Sequence, residues 1–231
     1  EVIYMCGIAG EVSFNNSIKK NKDSYFKMQR VLAPRGPDQN GLYIKDNVAL
    51  IHTRLSVIDV ENGIQPMTAK YGENEYSIVY NGELYNTEEI RNELKQVGYV
   101  FLTHSDTEVV LKAFIHWKEE CLIKFNGIFA FVIWDELEKQ LFFARDRIGV
   151  KPFLYSIKND SFIFGSEIKA LLEHPDFKKE FNGDILSALS AVKSDTSKIS
   201  QTLSDMSEKD IHRIQQSLET LVKISQGTSR T

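Results

Sequence analysis

Met5-Cys6-Gly7-Ile8-Ala9-Gly10 is the stretch from which the chain is best read: a cysteine directly after a methionine, followed by apolar residues between glycines. A cysteine attacks as thiolate, and with an ordinary pKa of about 8.5 it needs a base. If Met5 and everything before it are removed, the freed α-amino group of Cys6, ordinarily titrating near 7.7–8.0, lies within reach of its own sulfur. One residue then supplies nucleophile and base. Gly7 and Gly10 lack the Cβ atoms that would keep backbone or substrate at a distance. Taken alone, a cysteine in a β-like apolar run is more often a small buried hydrophobe than a nucleophile. As written, Glu1-Val-Ile-Tyr-Met5 precedes Cys6 and holds the amine in a peptide bond. The expectation is that residues 1–5 are removed, either by a true start at Met5 followed by methionine removal or by cleavage of a leader. Retention of five added residues is the third alternative, and that form is expected to be inactive or slow.

The rest of the chain sets bounds on what such a cysteine could serve. Among 231 residues, 28 Lys and Arg face 32 Asp and Glu for a net charge of −4. That balance excludes the basic platform that nucleic acid or an anionic membrane surface requires. The longest apolar run, Ile128 to Trp134, falls far short of the roughly 20 residues needed to cross a bilayer. The start lacks the pattern of a secretory signal, so Cys6 and Cys121 are expected to be free thiols in the reducing cytoplasm. Histidines 52, 104, 116, 174 and 212 have no metal-ligand spacing with the cysteines, and there is no HExxH, CxxC, Walker loop or GxGxxG. No metal or nucleotide site is expected within this chain.

Composition changes sharply along the sequence. Every aromatic residue and all five prolines precede residue 182, whereas residues 184–231 hold ten serines. Two regions are therefore expected: a core-forming domain over 6–183 and a helical, Ser-rich tail over 184–231. In the tail, Ile199, Leu203, Met206, Ile211, Ile214, Leu218 and Leu221 mark an apolar stripe for its own domain or for a helical partner. Within the domain, the pattern predicts a helix over Lys20–Ala33 closed by Pro34, strands at Leu42–Ile44 and Val48–Thr53 around a Lys45-Asp46-Asn47 turn, and a strand at Tyr76–Tyr80. Asn86 with Glu89, and Ser105 with Glu108, have capping-box spacing and predict two helices, the first ending near Gly98. Phe129–Trp134, Gln140–Arg145, Phe153–Ser156 and Ser161–Gly165 read as one antiparallel meander, with turns at Asp135 and Asn159-Asp160. Strands in groups with helices between them indicate an α+β layered fold.

Four further segments follow the Cys6 stretch in order: Arg35-Gly36-Pro37-Asp38, His52-Thr53-Arg54-Leu55-Ser56-Val57-Ile58-Asp59, Tyr80-Asn81-Gly82-Glu83-Leu84-Tyr85-Asn86 and Ser105-Asp106-Thr107-Glu108. Together they resemble the class II glutamine amidotransferases, which are N-terminal nucleophile hydrolases. Ala144-Arg-Asp-Arg-Ile-Gly-Val-Lys-Pro152 and Gly165-Ser-Glu-Ile-Lys-Ala-Leu171 narrow the resemblance to the glutaminase domain of glutamine-hydrolysing asparagine synthetases. It implies a four-layer αββα sandwich. It also implies that Cys6 attacks the carboxamide carbon of L-glutamine, forming a thioester and releasing ammonia. Asn81 and Gly82 would form the oxyanion hole, Arg54 would bind the α-carboxylate, and Asp106 with Glu83 would receive the α-ammonium. Arg35 and Asp38 would shape a nearby loop, and Lys151 and Arg145 are left as structural residues.

Two departures from the family pattern remain. Pro34 stands where the family often has histidine, and no Ser-Gly-Gly-x-Asp-Ser loop for ATP follows the domain. The expectation is a chain without cofactors of its own, ATP and Mg²⁺ belonging to a missing synthetase domain or a separate synthetase subunit. Ammonia would then serve asparagine synthesis or a related amidation. A catalytically silent glutamine-binding regulatory module, a truncated fragment and a hydrolase for another amide are the competing readings.

Overall fold

Strand β1 (Gly7–Ser13) is buried on both faces, with Ile8 and Val12 on one side and Ala9 and Glu11 on the other. A strand of that kind belongs inside a stack of layers, where each face meets another element. The computed structural model describes residues 5–15, 17–56 and 59–177. The expected tail, 184–231, lies outside the described residues. After β1 come helix α1 (Lys22–Leu32) and strands β2 (Gln39–Ile44), β3 (Val48–Arg54), β4 (Met67–Tyr71) and β5 (Asn74–Leu84). Helices α2 (Thr87–Gln96), α3 (Asp106–Trp117) and α4 (Cys121–Lys124) follow, then β6 (Gly127–Asp135), β7 (Gln140–Arg145), β8 (Leu154–Lys158), β9 (Ser161–Gly165) and α5 (Ile168–Leu171).

The strands form two antiparallel sheets, ordered β2-β3-β1-β9-β8 and β4-β5-β6-β7. Three apolar cores hold the layers together. Ile8, Val12, Val48, Leu50 and Phe164 of the first sheet meet Val79, Ala130, Val132 and Trp134 of the second. The first sheet's outer face, with Ala9, Ala49, Ile51 and Ile163, packs on Tyr25, Met28 and Leu32 of α1 and on Ala170 and Leu171 of α5. The second sheet's outer face, with Ile78, Phe131 and Ile133, packs on Ile90 and Leu94 of α2 and on Val109, Val110 and Ala113 of α3. The result is helix, sheet, sheet, helix: the αββα sandwich, in an α+β class. Buried polar residues interrupt this apolar interior in separate places, Glu11 and His174 beneath β1 and Arg54, Asn81 and Asp106 around a cavity.

Several sequence expectations change in detail. The meander over residues 129–165 is two hairpins in different sheets: β6 pairs with β7, and β8 pairs with β9. Asp146 turns the chain from one sheet to the other, its carboxylate accepting from the N–H groups of Val150 at 2.8 Å and Lys151 at 2.9 Å. Asp135 ends β6 rather than forming the turn, and the left-handed residue there is Lys139. Asn159 and Asp160 do turn the β8–β9 hairpin, with φ of 49° and 62°. Ser105 caps α3 through Glu108 N–H, but the Glu108 carboxylate binds Leu102 and Thr103 N–H instead of closing the box. Asn86 makes no side-chain cap on α2, because its amide bridges Lys124 O and Asn126 N–H at the end of α4. The first helix starts with a 3-10 turn, Lys19–Asn21, before α1.

Candidate active site

Register brings the site together. β1 pairs antiparallel with β3 so that Gly7 faces Thr53 at the end of the ladder, and Cys6, just before β1, meets Leu55, just after Arg54 and β3. Asn81, Gly82 and Glu83 lie on β5, and Asp106 opens α3 directly after the Ser105 cap. All six predicted residues, Cys6, Arg54, Asn81, Gly82, Glu83 and Asp106, line one cavity of about 180 Å³. That is below the roughly 300–1,000 Å³ of sites for drug-sized ligands, so the cavity suits one small molecule.

The Cys6 sulfur is bracketed by Leu55, whose N–H donates to Sγ at 3.4 Å while the thiol donates back to Leu55 O at 3.6 Å. Burial raises the thiol pKa above its ordinary value, and the hydrogen bond from Leu55 and the charges of Arg54 and Lys151 only partly offset this. The thiol is therefore protonated at neutral pH, and attack by sulfur needs a base. Gly7 and Gly10 are required by the protein rather than by a ligand. A Cβ on Gly7 would stand 2.6 Å from Thr53 Oγ1, and one on Gly10 only 2.2 Å from Ala49 O. Arg35 does more than shape a loop: its Nε donates to Cys6 O at 3.1 Å and its Nη1 pairs with Glu167 at 2.9 Å. Asp38 holds the neighbouring segment, accepting from Ser56 N–H at 2.7 Å.

The opposite wall carries the donors. The Asn81 side chain is buried, and its Nδ2 has no hydrogen-bond partner among the described residues. A buried donor left unmet costs about 1–3 kcal/mol, so it calls for an explanation. Gly82 has no room for a side chain, since a Cβ would lie 2.6 Å from Ile128 O. Asp106 accepts from the Tyr80 hydroxyl at 2.9 Å and Leu84 N–H at 3.3 Å, and burial raises its pKa against those hydrogen bonds. Arg54 is buried, its Nη1 donating to Gln39 Oε1 at 2.7 Å and to Val60 O at 2.9 Å and its Nη2 to Asp59 O at 2.6 Å. A Cβ on Gly63 would stand 2.4 Å from Arg54 Nη2, so any side chain there would displace the guanidinium.

Met5, Leu55, Gly63, Gln65, Tyr80, Ser105, Thr107 and Lys151 complete the lining. Lys151, read from sequence as structural, reaches the cavity and donates from Nζ to Met5 Sδ at 3.2 Å. Arg145 does stay structural, binding Lys151 O and Gly149 O in the loop. Gly63 and Gln65 gave no motif signal, whereas Tyr80 opens the Tyr80–Asn86 segment without an expected role there. With Arg54 and Lys151 as cations and Asp106 and Glu83 as carboxylates, the cavity presents both signs of charge, as a zwitterion requires. Among the described residues, no cluster of three or more His, Cys, Asp or Glu is placed to hold a metal ion, and no helix is long and apolar enough to cross a membrane.

Comparisons with known proteins bear on the family and the fold. The sequence profile of the glutamine amidotransferase domain matches residues 5–222, a span that runs past residue 183. Asparagine synthetase [glutamine-hydrolyzing] 3 of Bacillus subtilis is 50% identical over 174 residues, covering 75% of this chain and 28% of that protein. Asparagine synthetase [glutamine-hydrolyzing] 1 of the same organism is 42% identical over 171 residues, covering 73% of this chain and 27% of that protein. The chain thus spans little more than a quarter of the length of these relatives. Among solved structures, the glutamine phosphoribosylpyrophosphate amidotransferase of B. subtilis superposes with a TM-score of 0.58 at 20% identity, covering 72% of this chain and 43% of that one. At that identity the likeness concerns the fold.

Proposed function

The chain belongs to the family of glutamine amidotransferase domains, and on that premise we propose that it hydrolyses L-glutamine to L-glutamate and ammonia through a thioester on Cys6. The observation that carries the reading is the unmet Asn81 Nδ2 donor in the wall of the cavity that Cys6 lines. The freed Cys6 amine takes the thiol proton, and the sulfur attacks the carboxamide carbon. Negative charge then develops on the amide oxygen, where Asn81 Nδ2 and Gly82 N–H stabilise it. The tetrahedral intermediate collapses as the C–N bond breaks, and the amine returns its proton to the departing ammonia. Water, deprotonated by the same amine, cleaves the thioester and restores the thiol. Arg54 binds the α-carboxylate, and Asp106 with Glu83 binds the α-ammonium. Together they select a free amino acid over an amide within a peptide.

The relatives' names support asparagine synthesis as the use of the ammonia. In this proposal a synthetase portion, with its own ATP and Mg²⁺, receives the ammonia as the remainder of a longer protein or as a separate subunit. The setting is the cytoplasm, where Cys6 and Cys121 stay free thiols. The test is glutamate release from glutamine by the chain processed to Cys6. Turnover that disappears in Cys6→Ala, with folding intact, is the expected result. Equal turnover in that variant would reject the mechanism.

A further inference from the structure

β4 ends its ladder on β5 at Met67 opposite Ile78, a pairing in which the two residue numbers sum to 145. The next inward-facing partner in that register would be residue 65 opposite Tyr80. Gln65 does occupy the place, but with its side chain. Tyr80 N–H donates to Gln65 Oε1 at 2.6 Å, and Gln65 Nε2 donates to Tyr80 O at 3.1 Å. The carboxamide therefore imitates one backbone pair of an antiparallel ladder. The backbone of Gln65 is elsewhere: its carbonyl lies against Gly41, where a Cβ would come within 1.7 Å of Gln65 O. Pro66, next in the chain, has no N–H to offer a ladder.

The same Nε2 donates to Thr107 Oγ1 at 3.2 Å, next to Asp106 at the start of α3. Gln65 is 6% exposed and lines the cavity. One buried amide thus joins the strand that presents Asn81 and Gly82 to the helix that presents Asp106. Tyr80 closes the circuit through its hydroxyl on Asp106 and through its carbonyl, which His52 Nε2 also contacts at 3.1 Å. The polar demands of Tyr80 are met without a backbone strand, and the space that strand would fill is left to the cavity.

We propose that Gln65 is a positioning residue of the glutaminase reaction, holding the oxyanion donors and the α-ammonium acceptor in one fixed relation. This rests on the glutaminase reading above. Its Tyr80 arm governs the donors that act only in the transition state, and its Thr107 arm governs substrate binding. Gln65→Glu keeps size and the acceptor for Tyr80 N–H but loses both donations. Thr107→Val removes one arm only.

The experiment uses the chain processed to Cys6, with kcat and KM for glutamine measured per active site titrated by an electrophilic glutamine analogue. Gln65→Glu is expected to lower kcat by roughly 10²-fold, as for a misplacement near 1 Å. Thr107→Val is expected to raise KM roughly 5-fold, the worth of one hydrogen bond, at unchanged kcat. Variants that lose only thermal stability or titratable fraction, with kcat and KM per titrated site unchanged, would overturn the role. If Gln65→Glu does not fold, Thr107→Val decides: a raised KM supports the role and an unchanged KM rejects it. A parent chain that neither hydrolyses glutamine nor reacts with the analogue overturns the glutaminase reading itself. An active parent with unaffected variants overturns the positioning role alone.

Discussion

The Glu11 cluster and the Cys6 cavity are both buried and polar, yet their hydrogen bonds are met differently. Glu11, on the face of β1 that looks toward α1, accepts from Tyr25 OH at 2.5 Å, Asn21 Nδ2 at 3.1 Å, His174 Nε2 at 2.8 Å and Ser161 Oγ at 2.7 Å. Asp176 N–H in turn donates to His174 Nδ1 at 3.3 Å. Burial pushes the Glu11 carboxyl upward, but the hydrogen bonds from His174, Tyr25, Ser161 and Asn21 outweigh it and hold the pKa at about 2. In the cavity the balance runs the other way. Burial wins at Cys6 and Asp106, both of whose pKa values are raised, and Asn81 Nδ2 is left without a partner. A charge whose hydrogen bonds are complete stabilises the fold, whereas polar groups held incomplete are ready for a ligand.

This contrast can be broken at either end. Asn81→Ala removes an unmet donor, so the fold should lose little or gain up to about 1 kcal/mol. Glutaminase kcat should nevertheless fall about 10²–10³-fold, as when an oxyanion donor is removed. Kinetics and thermal unfolding of the same preparation check both halves, and a loss of stability without a loss of rate would reverse the assignment. Glu11→Gln should do the opposite. It should cost on the order of 3 kcal/mol of stability at neutral pH and leave kcat of the folded protein unchanged. The sign follows from linkage: a carboxyl with a depressed folded pKa stabilises above its unfolded value, and the benefit is lost as pH falls through the folded one. Denaturant titrations should therefore show the gap between wild type and variant closing between about pH 4.5 and about 2. A gap that does not change with pH would mean that the Glu11 charge is not what stabilises the cluster.

The two regions also differ in how far they could be read from sequence. Cys6, Arg54, Asn81, Gly82, Glu83 and Asp106 could be found because each sits inside a short ordered motif, and the structure gathers all six around one cavity. Gln65 and Gly63 could not, because their meaning is tertiary: one depends on a register with Tyr80, the other on the guanidinium that fills its missing side chain. The layered α+β class followed from strands arriving in groups, but four successive strands do not say which of them pair. Asp146 and its loop carry the chain from one sheet to the other after β7. β4 escaped notice as an edge strand whose residues are mostly exposed. A fainter signal was present in Gly72-Glu73, a two-residue turn with φ of 60° at its glycine, which joins β4 to β5. The Glu11 cluster was invisible in sequence, since Glu11, Tyr25, Ser161 and His174 share no spacing.

Met5 is the point at which the account is most exposed. It lines the cavity, its N–H bound to Arg35 O at 2.9 Å and its sulfur to Lys151 Nζ. While it remains, the nitrogen of Cys6 is an amide and cannot take a proton from the buried thiol. The most direct measurement is glutamate formation from glutamine by two matched preparations, one retaining Met5 and one beginning at Cys6, each confirmed by intact mass. Turnover should belong to the second alone, with a glutamyl group trapped on Cys6 by acid quench. Equal rates in both preparations would contradict a catalytic unit made of this sulfur and its own amine.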